Sequence, residues 1–247
     1  MRDKIKLTFL GTAANGGVPQ LDCRCINCLS KPKRKRSCIL IETKKRKLII
    51  DSGPDFHSQL TENNIRLQDI SGIVLSHLHW DHCLGIVELT SGKILNLPVL
   101  VHNKLKSKLL KNNFFKFIFE KSWARLANEI DGFNIDFIEI EHDPNFPTFA
   151  IKVTSDKQVL IATDIFRMNK RFIVEAKHSD LLIFDSTFLN ESNHWHIAVK
   201  KSAPILSKIC KRVIFTHINH SENPEKVINF LDKFNFNLAF DGMVVKI

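Results

Sequence analysis

One short segment, Ser76–His82 with the sequence SHLHWDH, carries a dense set of potential metal ligands. Its three imidazoles and one carboxylate lie within six residues, directly after an apolar strand candidate. Imidazole and carboxylate suit divalent ions such as zinc, manganese or iron. Alternate residues of an extended segment point to the same side, so His77 and His79 can bind one ion. If the chain then turns into a helix, Asp81 and His82 can face a second ion.

A second segment is rich in cysteine, with Cys23, Cys25 and Cys28 in CxCxxC spacing. Three thiolates at this spacing supply three of the four ligands of a structural zinc site. A disulfide framework would be spaced more evenly and would need an oxidising compartment. The alternative is a reduced, metal-free loop, in which three thiolates would be prone to oxidation. We therefore expect one structural zinc whose fourth ligand comes from elsewhere in the chain.

Strand and helix patterns are mixed along the whole chain, which indicates one α/β domain over residues 1–247. The strand candidates are Lys4–Leu10, Ser37–Ile41, Lys47–Ile50, Ile73–Leu75, Phe137–Ile140, Phe149–Val153, Val159–Ala162, Leu181–Phe184 and Val213–Thr216. Helical spacing covers 104–130 with a break near Asn112, and further helices are expected over His196–Cys210 and Pro224–Phe234. Pro204 should kink the first of these or mark a late start. The C-terminal Leu238–Ile247 reads as a strand pair.

The length and composition of the chain indicate a folded globular protein. A chain of 247 residues with 44% hydrophobic and 25% charged residues can bury a core without disulfides and is not disordered. No apolar run approaches the roughly 20 residues that span a bilayer, and the run Ile5–Leu10 is too short for a signal peptide. We expect a cytoplasmic protein without a membrane partner. The net charge of +10 suits an anionic partner, and the basic run Lys31–Arg36 is either a solvated turn or an anion-attracting rim.

The HxHxDH run resembles the signature of the metallo-β-lactamase fold superfamily, and Gly11-Thr12 after the first strand and Asp51–Gly53 ahead of the motif agree with it. The resemblance implies a four-layer αββα sandwich with further ligands at the ends of downstream strands. His142, Asp164 and His217 follow strand candidates in the required order. It thus implies one ion held by His77, His79 and His142, a second held by Asp81, His82 and His217, and Asp164 as the bridge. Asp143 replaces His142 only if the site is irregular.

The run Gly11–Cys28 resembles a narrower branch of the superfamily. That branch includes the phosphoribosyl cyclic phosphodiesterase of the carbon–phosphorus lyase pathway and pyrroloquinoline quinone biosynthesis protein B. In the phosphodiesterase, a histidine three residues after the last catalytic histidine completes a Cys₃His zinc site. His220 stands three residues after His217. The resemblance therefore implies a structural zinc held by Cys23, Cys25, Cys28 and His220.

The resemblance also implies an activity. We expect a dinuclear metal-dependent hydrolase, most simply a phosphodiesterase for a small or cyclic phosphodiester, in which a hydroxide shared by two ions attacks phosphorus. Relatives carry a histidine before a helix between the bridging Asp and the last His. His196 matches this general acid best, His194 is the runner-up, and Asp185 orients that histidine. Asp81 belongs to both the ligand set and the catalytic set. Trp80 is expected to pack beneath the motif, with a position lining the pocket as the alternative.

Other functions stay open at this stage. One is a cofactor-biosynthesis enzyme like pyrroloquinoline quinone biosynthesis protein B. Another is a nucleic-acid processing nuclease, although superfamily members that cut tRNA precursors carry a long Gly/Pro-rich arm that this sequence lacks. A metal-binding fold without catalysis conflicts with the full ligand set. The expected cofactors are two catalytic divalent metals (Zn or Mn, with Fe as the alternative) and one structural Zn. The expected partner is a small anionic substrate, with nucleic acid second and a homodimer left open.

Overall fold

A first sheet carries the N-terminal half of the chain. The computed structural model describes residues 5–30, 33–93 and 96–247, and within these ranges seven strands form this sheet in the order β13-β1-β2-β3-β4-β5-β6. They are Lys6–Gly11 (β1), Cys38–Glu42 (β2), Lys47–Ile50 (β3), Gly72–Leu75 (β4), Leu97–Val101 (β5), Ala124–Ala127 (β6) and Val244–Lys246 (β13). The first three strands and β13 pair in antiparallel fashion, whereas β3 to β6 run parallel.

A second sheet follows in the C-terminal half, with six strands in the described ranges and the order β12-β11-β10-β9-β8-β7. They are Asn134–Asp143 (β7), Phe146–Thr154 (β8), Gln158–Ala162 (β9), Leu181–Asp185 (β10), Val213–Thr216 (β11) and Asn237–Leu238 (β12). The strands β7, β8 and β9 are antiparallel, and β9 to β12 run parallel. The strands predicted from the sequence in both sheets are confirmed, although their bounds shift by a few residues. Lys4, which opens the first predicted strand, lies outside the described residues.

Helices cover the outer face of each sheet. Those of the described ranges are Ile26–Leu29 (α1), Phe56–Glu62 (α2), Trp80–Cys83 (α3), Asn103–Lys111 (α4), Asn113–Glu120 (α5), Lys170–His178 (α6), Val199–Leu206 (α7) and Pro224–Leu231 (α8). Three 3₁₀ segments accompany them at Leu67–Asp69, Leu84–Ser91 and Asp232–Phe234. None of the helices in the described part of the chain is long and apolar enough to cross a membrane.

Alternating side chains of the second sheet divide the core into two layers. In β9, Val159 and Ile161 pack in the cluster that also holds the buried residues of the first sheet. Leu160 and Ala162, one residue out of phase, pack instead with Phe172 of α6 and with α7 and α8. Because strand side chains alternate between faces, each sheet buries both of its sides. The result is the four-layer αββα sandwich expected from the sequence.

Several polar side chains lie where parallel strands of the two sheets end. Asp51 follows β3, Ser76 and His77 follow β4, Asp164 lies two residues beyond β9, and His217 follows β11. The carboxyl ends of parallel strands share one edge of a sheet, and the side chains that follow them meet there. The backbones of Asp51 and His217 are left-handed, with φ of 60° and 65°. This conformation is uncommon for residues other than glycine and is often found at functional sites.

Three predictions about secondary structure are wrong. The helical segment expected over 104–130 ends at Glu120, and Ala124–Ala127 forms the edge strand β6, because pairing with β5 outweighs local helix propensity. The expected helix His196–Cys210 is limited to Val199–Leu206, which includes Pro204. The C-terminal strands do not pair with each other. The strand β12 pairs with β11, whereas β13 pairs with β1, so the chain crosses between the sheets.

Candidate metal centre

The first histidine of the HxHxDH run is held by its neighbour. The hydroxyl of Ser76 donates to Oδ2 of Asp51 at 2.8 Å, so its oxygen is left to accept from Nδ1 of His77 at 2.9 Å. Nδ1 of His77 therefore carries the ring proton, and Nε2 keeps its lone pair. The ring is fully buried, so its orientation is fixed by these bonds and by packing.

Four further histidines repeat this arrangement. Each donates from one ring nitrogen to an acceptor at the edge of the cluster: Nε2 of His79 to Asp143 (2.8 Å), Nδ1 of His82 to Asp51 (2.8 Å), Nδ1 of His142 to the carbonyl of Trp195 (2.8 Å) and Nδ1 of His217 to the hydroxyl of Thr187 (2.9 Å). Hydrogen-bonded partners of this kind fix the tautomer of metal-ligating histidines. The other nitrogen of each of the five rings faces a common space.

Three of these nitrogens form one group. Nδ1 of His79 lies 3.1 Å from Nε2 of His77 and 3.2 Å from Nε2 of His142. Zinc–nitrogen bonds of about 2.0–2.1 Å in a tetrahedral site place their ligand atoms about 3.3 Å apart. The spacing of these three nitrogens therefore suits a single divalent ion.

A second group contains Asp81, His82 and His217. Nε2 of His82 lies 3.3 Å from Nε2 of His217 and 3.3 Å from Oδ2 of Asp81. The same oxygen of Asp81 is 3.7 Å from Nε2 of His217. The three side chains are buried, and their ligand atoms lie close enough to share one ion.

Asp164 lies between the two groups. Its Oδ2 is 3.1 Å from Nε2 of His82, and its Oδ1 is 3.4 Å from Nε2 of His217 and 3.8 Å from Nε2 of His142. Oδ2 is buried and has no hydrogen-bond partner. A buried carboxylate oxygen without a partner is costly, and a cation in the centre of the cluster removes that cost. The donor set of five imidazoles and two carboxylates therefore fits divalent metal ions.

The electrostatics of the cluster favour ligation at neutral pH. Burial lowers the pKa of His77 well below its ordinary value and also lowers that of His142, so both rings are neutral. Burial alone would raise the pKa of Asp164, but the surrounding imidazoles, His217 first, hold it well below its usual range. Burial would lower the pKa of His82, yet Asp164 and other carboxylates raise it well above the ordinary value. Without metal, a proton on His82 neutralises part of the carboxylate charge.

His196 adjoins the cluster and is oriented by Asp185. Nδ1 of His196 lies 2.6 Å from Oδ2 of Asp185, which also accepts from the backbone of Ile165. The other oxygen of Asp185 accepts from the backbone N–H and the hydroxyl of Thr187. A ring nitrogen of the buried His196 lies within 4.8 Å of ligand atoms of His142 and Asp164. The structure thus brings His196 to the cluster and gives Asp185 the orienting contact expected of it.

His194 is placed elsewhere. It is exposed and lines a separate cavity together with Lys108 and Asn145 on the other side of the β7–β8 hairpin tip. Residues 193–196 form a tight bend, in which the backbone N–H of Asn193 donates to the carbonyl of His196, and this bend turns the two rings apart. Between the two candidates for the general acid, only His196 faces the cluster.

A cavity of about 370 Å³ opens over the cluster. It is lined by Ala14, Asn15, His79, Trp80, Asp81, His142, Asp164, Thr187, Phe188, Asn193, Trp195, His196, His217 and Asn219. Trp80 is 46% exposed, so the expectation that it packs beneath the motif is wrong. The first residue of the short helix α3 points its side chain away from the core, since Asp81 and His82 take the inward positions.

The basic run does not line this cavity. Among the described residues of the lining there is no lysine or arginine. The guanidinium of Arg36 pairs with Asp55 at 3.0 Å, and that of Arg34 donates to the hydroxyl of Thr12 and the carbonyl of Ala239. These residues border another groove with Asp241. The first two residues of the run, 31 and 32, lie outside the described part of the chain.

The cysteine segment meets His220 as expected. Nδ1 of His220 lies 3.4, 3.7 and 3.5 Å from the Sγ atoms of Cys23, Cys25 and Cys28. Tetrahedral zinc with bonds of about 2.3 Å to sulfur and about 2.0–2.1 Å to nitrogen would separate these atoms by about 3.6 Å. The backbone N–H of Gln20 donates to the sulfur of Cys28 at 3.3 Å, which stabilises thiolate character. The four side chains fit a closed, structural zinc site.

The cysteine segment is tied to the strand end that carries His217. The side-chain amide of Asn27 donates to the carbonyls of His220 and Glu222 at 2.8 and 2.6 Å. The backbone N–H of Ala14 donates to the carbonyl of Ile218, whose N–H donates to Thr12. A zinc bound to the cysteines would therefore help to fix a ligand of the larger cluster.

Sequence reasoning missed several acceptors around the ligands. No sequence pattern marks Thr187 as the acceptor for His217. Asp143, expected only as a replacement ligand, has a carboxylate that accepts from His79. Asp51 was noted only as part of the Asp51–Gly53 motif. The position of Asp51 could have predicted these contacts. A carboxylate at the end of one strand can reach the histidines that follow the next strand. Gly53 completes the motif, since a Cβ at this position would lie 2.1 Å from the carbonyl oxygen of Asp81.

Comparison with known proteins gives a consistent result. Residues 46–218 match the sequence profile of a family described as the beta-lactamase superfamily domain. A solved diphosphatase from the PhnP family has a TM-score of 0.87 and 24% identity, covering 100% of this chain and 98% of its own. Zinc-bound PqqB from Methylobacterium extorquens has a TM-score of 0.86 and 20% identity, with coverages of 98% and 100%. The exodeoxyribonuclease WalJ of Streptococcus pneumoniae is 25% identical, covering 77% of this chain and 71% of its own.

Proposed function

The chain belongs to the beta-lactamase superfamily, and we propose that it is a metal-dependent hydrolase that cleaves small phosphodiesters with two divalent ions. The observation that carries this proposal is the convergence of five imidazole nitrogens around Asp164, whose buried Oδ2 has no hydrogen-bond partner. Each imidazole donates a hydrogen bond from the ring nitrogen that does not face the cluster, and this bond fixes the orientation of the ring. Side chains oriented in this way are prepared to bind metal before any substrate arrives.

The ligand groups suggest how the ions are divided. One ion would be held by His77, His79 and His142, and the other by Asp81, His82 and His217, with Asp164 shared between them. Zinc and manganese suit this mixed set, and iron is the alternative. A third ion, a structural zinc, would be held by Cys23, Cys25, Cys28 and His220.

A pair of divalent ions bound here would lower the pKa of water and neutralise charge that develops on phosphorus. The chain's own residues supply the rest. The hydrogen bonds from the histidines to Asp51, Asp143 and Thr187 hold the ligands in place. His196, held by Asp185, is the group that can deliver a proton to the leaving oxygen. The cavity already described opens above the ligands and would admit water and substrate.

The lining of the cavity supports a small substrate. Because its described residues include no lysine or arginine, the charge of a bound phosphate would be balanced by the ions rather than by basic side chains. A polyanion would need further cations along its length. The likeness to a diphosphatase of the PhnP family supports a phosphate-containing substrate.

A nuclease is the second candidate, because the exodeoxyribonuclease WalJ is similar over most of this chain. The two candidates differ in what the cavity must hold. A nuclease must grip several phosphates of a strand, whereas a phosphodiesterase for small molecules needs only one.

The proposal is tested by counting metals and offering two substrates. We expect purified protein to contain three divalent ions per chain by inductively coupled plasma mass spectrometry and to hydrolyse bis(p-nitrophenyl) phosphate. Asp164→Asn should lose metal from the cluster and at least 100-fold in rate, as expected when a shared ligand is removed. Asp156→Asn, at an exposed turn, is the matched control and should change neither the metal content nor the rate. Degradation of single-stranded DNA without cleavage of small diesters would refute the proposal and favour the nuclease.

A further inference from the structure

Two tryptophans stand exposed at the cavity over the metal ligands. The chain has three tryptophans, and Trp80 and Trp195 are 46% and 44% exposed. Both line the cavity that contains His79, His142 and Asp164. The third, Trp123, packs its ring against Phe117 on the edge of the core. Large aromatic side chains are usually buried, so two exposed indoles beside a reactive centre indicate a surface that a ligand covers.

The indole of Trp80 is held by an arginine. Trp80 lies between His79 and Asp81 in the chain, and the guanidinium of Arg36 lies 5.1 Å from its ring centroid. That guanidinium is itself paired with Asp55 at 3.0 Å. Arg36 thus occupies a position against the Trp80 ring and limits its freedom to rotate.

Trp195 is anchored through its backbone. Its N–H donates to Oδ1 of Asn193 at 2.8 Å, and its carbonyl accepts from Nδ1 of His142 at 2.8 Å. Its ring centroid is 6.0 Å from that of His79, with the planes tilted by 33°. An aromatic platform that is fixed before binding loses little conformational entropy when a ligand stacks on it.

The remainder of the lining suits a planar polar ring. Asn15, Asn193 and Asn219 also line the cavity. The side-chain oxygens of Asn193 and Asn219 already accept from backbone N–H groups, so these two amides would offer N–H donors to the edge of a heterocycle. Phe188 adds a third aromatic ring. A cavity of about 370 Å³ lies at the small end of the range of about 300–1,000 Å³ for ligand sites. It therefore has room for one mononucleotide-sized ligand rather than for an oligomer.

We propose that Trp80 and Trp195 form an aromatic subsite that binds a planar ring carried by the phosphodiester substrate, as in a nucleoside phosphate ester. This inference rests on the proposed function, because the phosphate of that ester would lie at the metal ligands. A ring stacked on Trp195 has its centroid about 4.5–7 Å from the indole. Since Trp195 adjoins His79 and His142, a sugar can bridge between the stacked ring and the metal centre.

The test compares two ligands that differ only in the base. Isothermal titration calorimetry of the metal-loaded protein should show adenosine 5′-monophosphate binding at least 10-fold more tightly than ribose 5-phosphate, since a stacked base contributes about that factor. In a Trp80→Leu, Trp195→Leu double variant, the ratio of the dissociation constants for ribose 5-phosphate and adenosine 5′-monophosphate should fall to about 1. Trp195→Phe should keep most of the ratio, because phenylalanine still offers a ring face. Trp123→Phe is the control and should keep all of it.

Several results would decide against or refine the assignment. Equal binding of the two ligands to the unaltered protein, or an unchanged ratio in the double variant, would overturn the subsite. Phenyl phosphate binding as tightly as the nucleotide would support the aromatic subsite and assign to it a simple aryl group. Cleavage of bis(p-nitrophenyl) phosphate together with a ratio of 1 would leave the proposed function in place and remove the subsite. A high ratio of dissociation constants without any cleavage of that diester would support the subsite and refute the proposed function.

Discussion

The carboxylate of Asp51 accepts a hydrogen bond from Nδ1 of His82 at 2.8 Å. The same carboxylate accepts from the backbone N–H and the hydroxyl of Ser76, each at 2.8 Å, and the oxygen of that hydroxyl accepts in turn from His77. One side chain, at the end of β3, therefore orients a histidine in each of the two proposed ion sites. It is buried and does so from a left-handed backbone, which three hydrogen bonds stabilise.

Substitution of Asp51 should weaken metal binding without removing a ligand. In Asp51→Asn, the carboxamide keeps one acceptor oxygen but places an N–H₂ group where Ser76 or His82 now donates. Loss of such an orienting acceptor typically lowers metal affinity about 10–100-fold. Competition with a chromophoric chelator would measure the affinity of the cluster. Asp136→Asn removes the same charge at an exposed site on β7 and should bind metal as the unaltered protein does. Equal affinities in the two variants would show that Asp51 has no orienting role.

The cysteine site should be separable from the larger cluster. In His220→Ala, we expect the loss of one zinc per chain while the metals of the histidine cluster remain. The melting temperature should fall, because the cysteine segment is then held to the strand end by fewer bonds. Cys210→Ala removes a buried thiol that lies far from both sites in the helical layer, so it should keep the full metal count. If His220→Ala retains three ions and an unchanged melting temperature, the structural zinc does not exist.

The thiols of that site should also differ in their response to pH once metal is removed. The hydrogen bond from His220 is the main reason that the pKa of Cys25 falls to about 6. A lowered pKa means that Cys25 is a thiolate above about pH 6 and becomes protonated as the pH falls through that value. Burial has the opposite effect on Cys28 and raises its pKa.

Alkylation measures this difference. In protein stripped with a chelator, the rate of reaction of Cys25 with iodoacetamide should reach half its maximum near pH 6, whereas Cys28 should react only at higher pH. Fragment-ion mass spectrometry can assign the modified sulfur. His220→Ala should move the midpoint of Cys25 upward. A shared midpoint for the two thiols would contradict the assignment.

The ligands were predictable because their signals are local. The spacing of His77, His79, Asp81 and His82 follows from one strand end and one turn. Asp164 and His217 each follow an apolar run that predicts a strand, and the resemblance to the metallo-β-lactamase fold marks them as ligands. Parallel pairing then brings these strand ends to one edge of the sandwich.

The features that were not predicted depend on contacts between distant parts of the chain. Asp51 reaches His82 across 31 positions, and Asp143 reaches His79 across 64. The exposure of Trp80 depends on which side of a four-residue helix faces the core, and the strand β6 exists because β5 offers it an edge. A sequence pattern records the periodicity of an element but not the neighbour against which the element packs.

His196 should matter most for substrates with poor leaving groups. Burial would lower the pKa of His196, but Asp185 raises it above its ordinary value, so the ring keeps its proton to a higher pH than a free imidazole does. An alkoxide needs that proton when it leaves, whereas p-nitrophenolate does not. In His196→Gln, we expect kcat/KM to fall about 10²–10⁴-fold for an alkyl phosphodiester and far less for bis(p-nitrophenyl) phosphate. His194→Gln, at the exposed neighbour two residues away, should change neither. Equal losses on both substrates, or a loss of bound metal in His196→Gln, would identify His196 as a ligand or a binding residue rather than the acid.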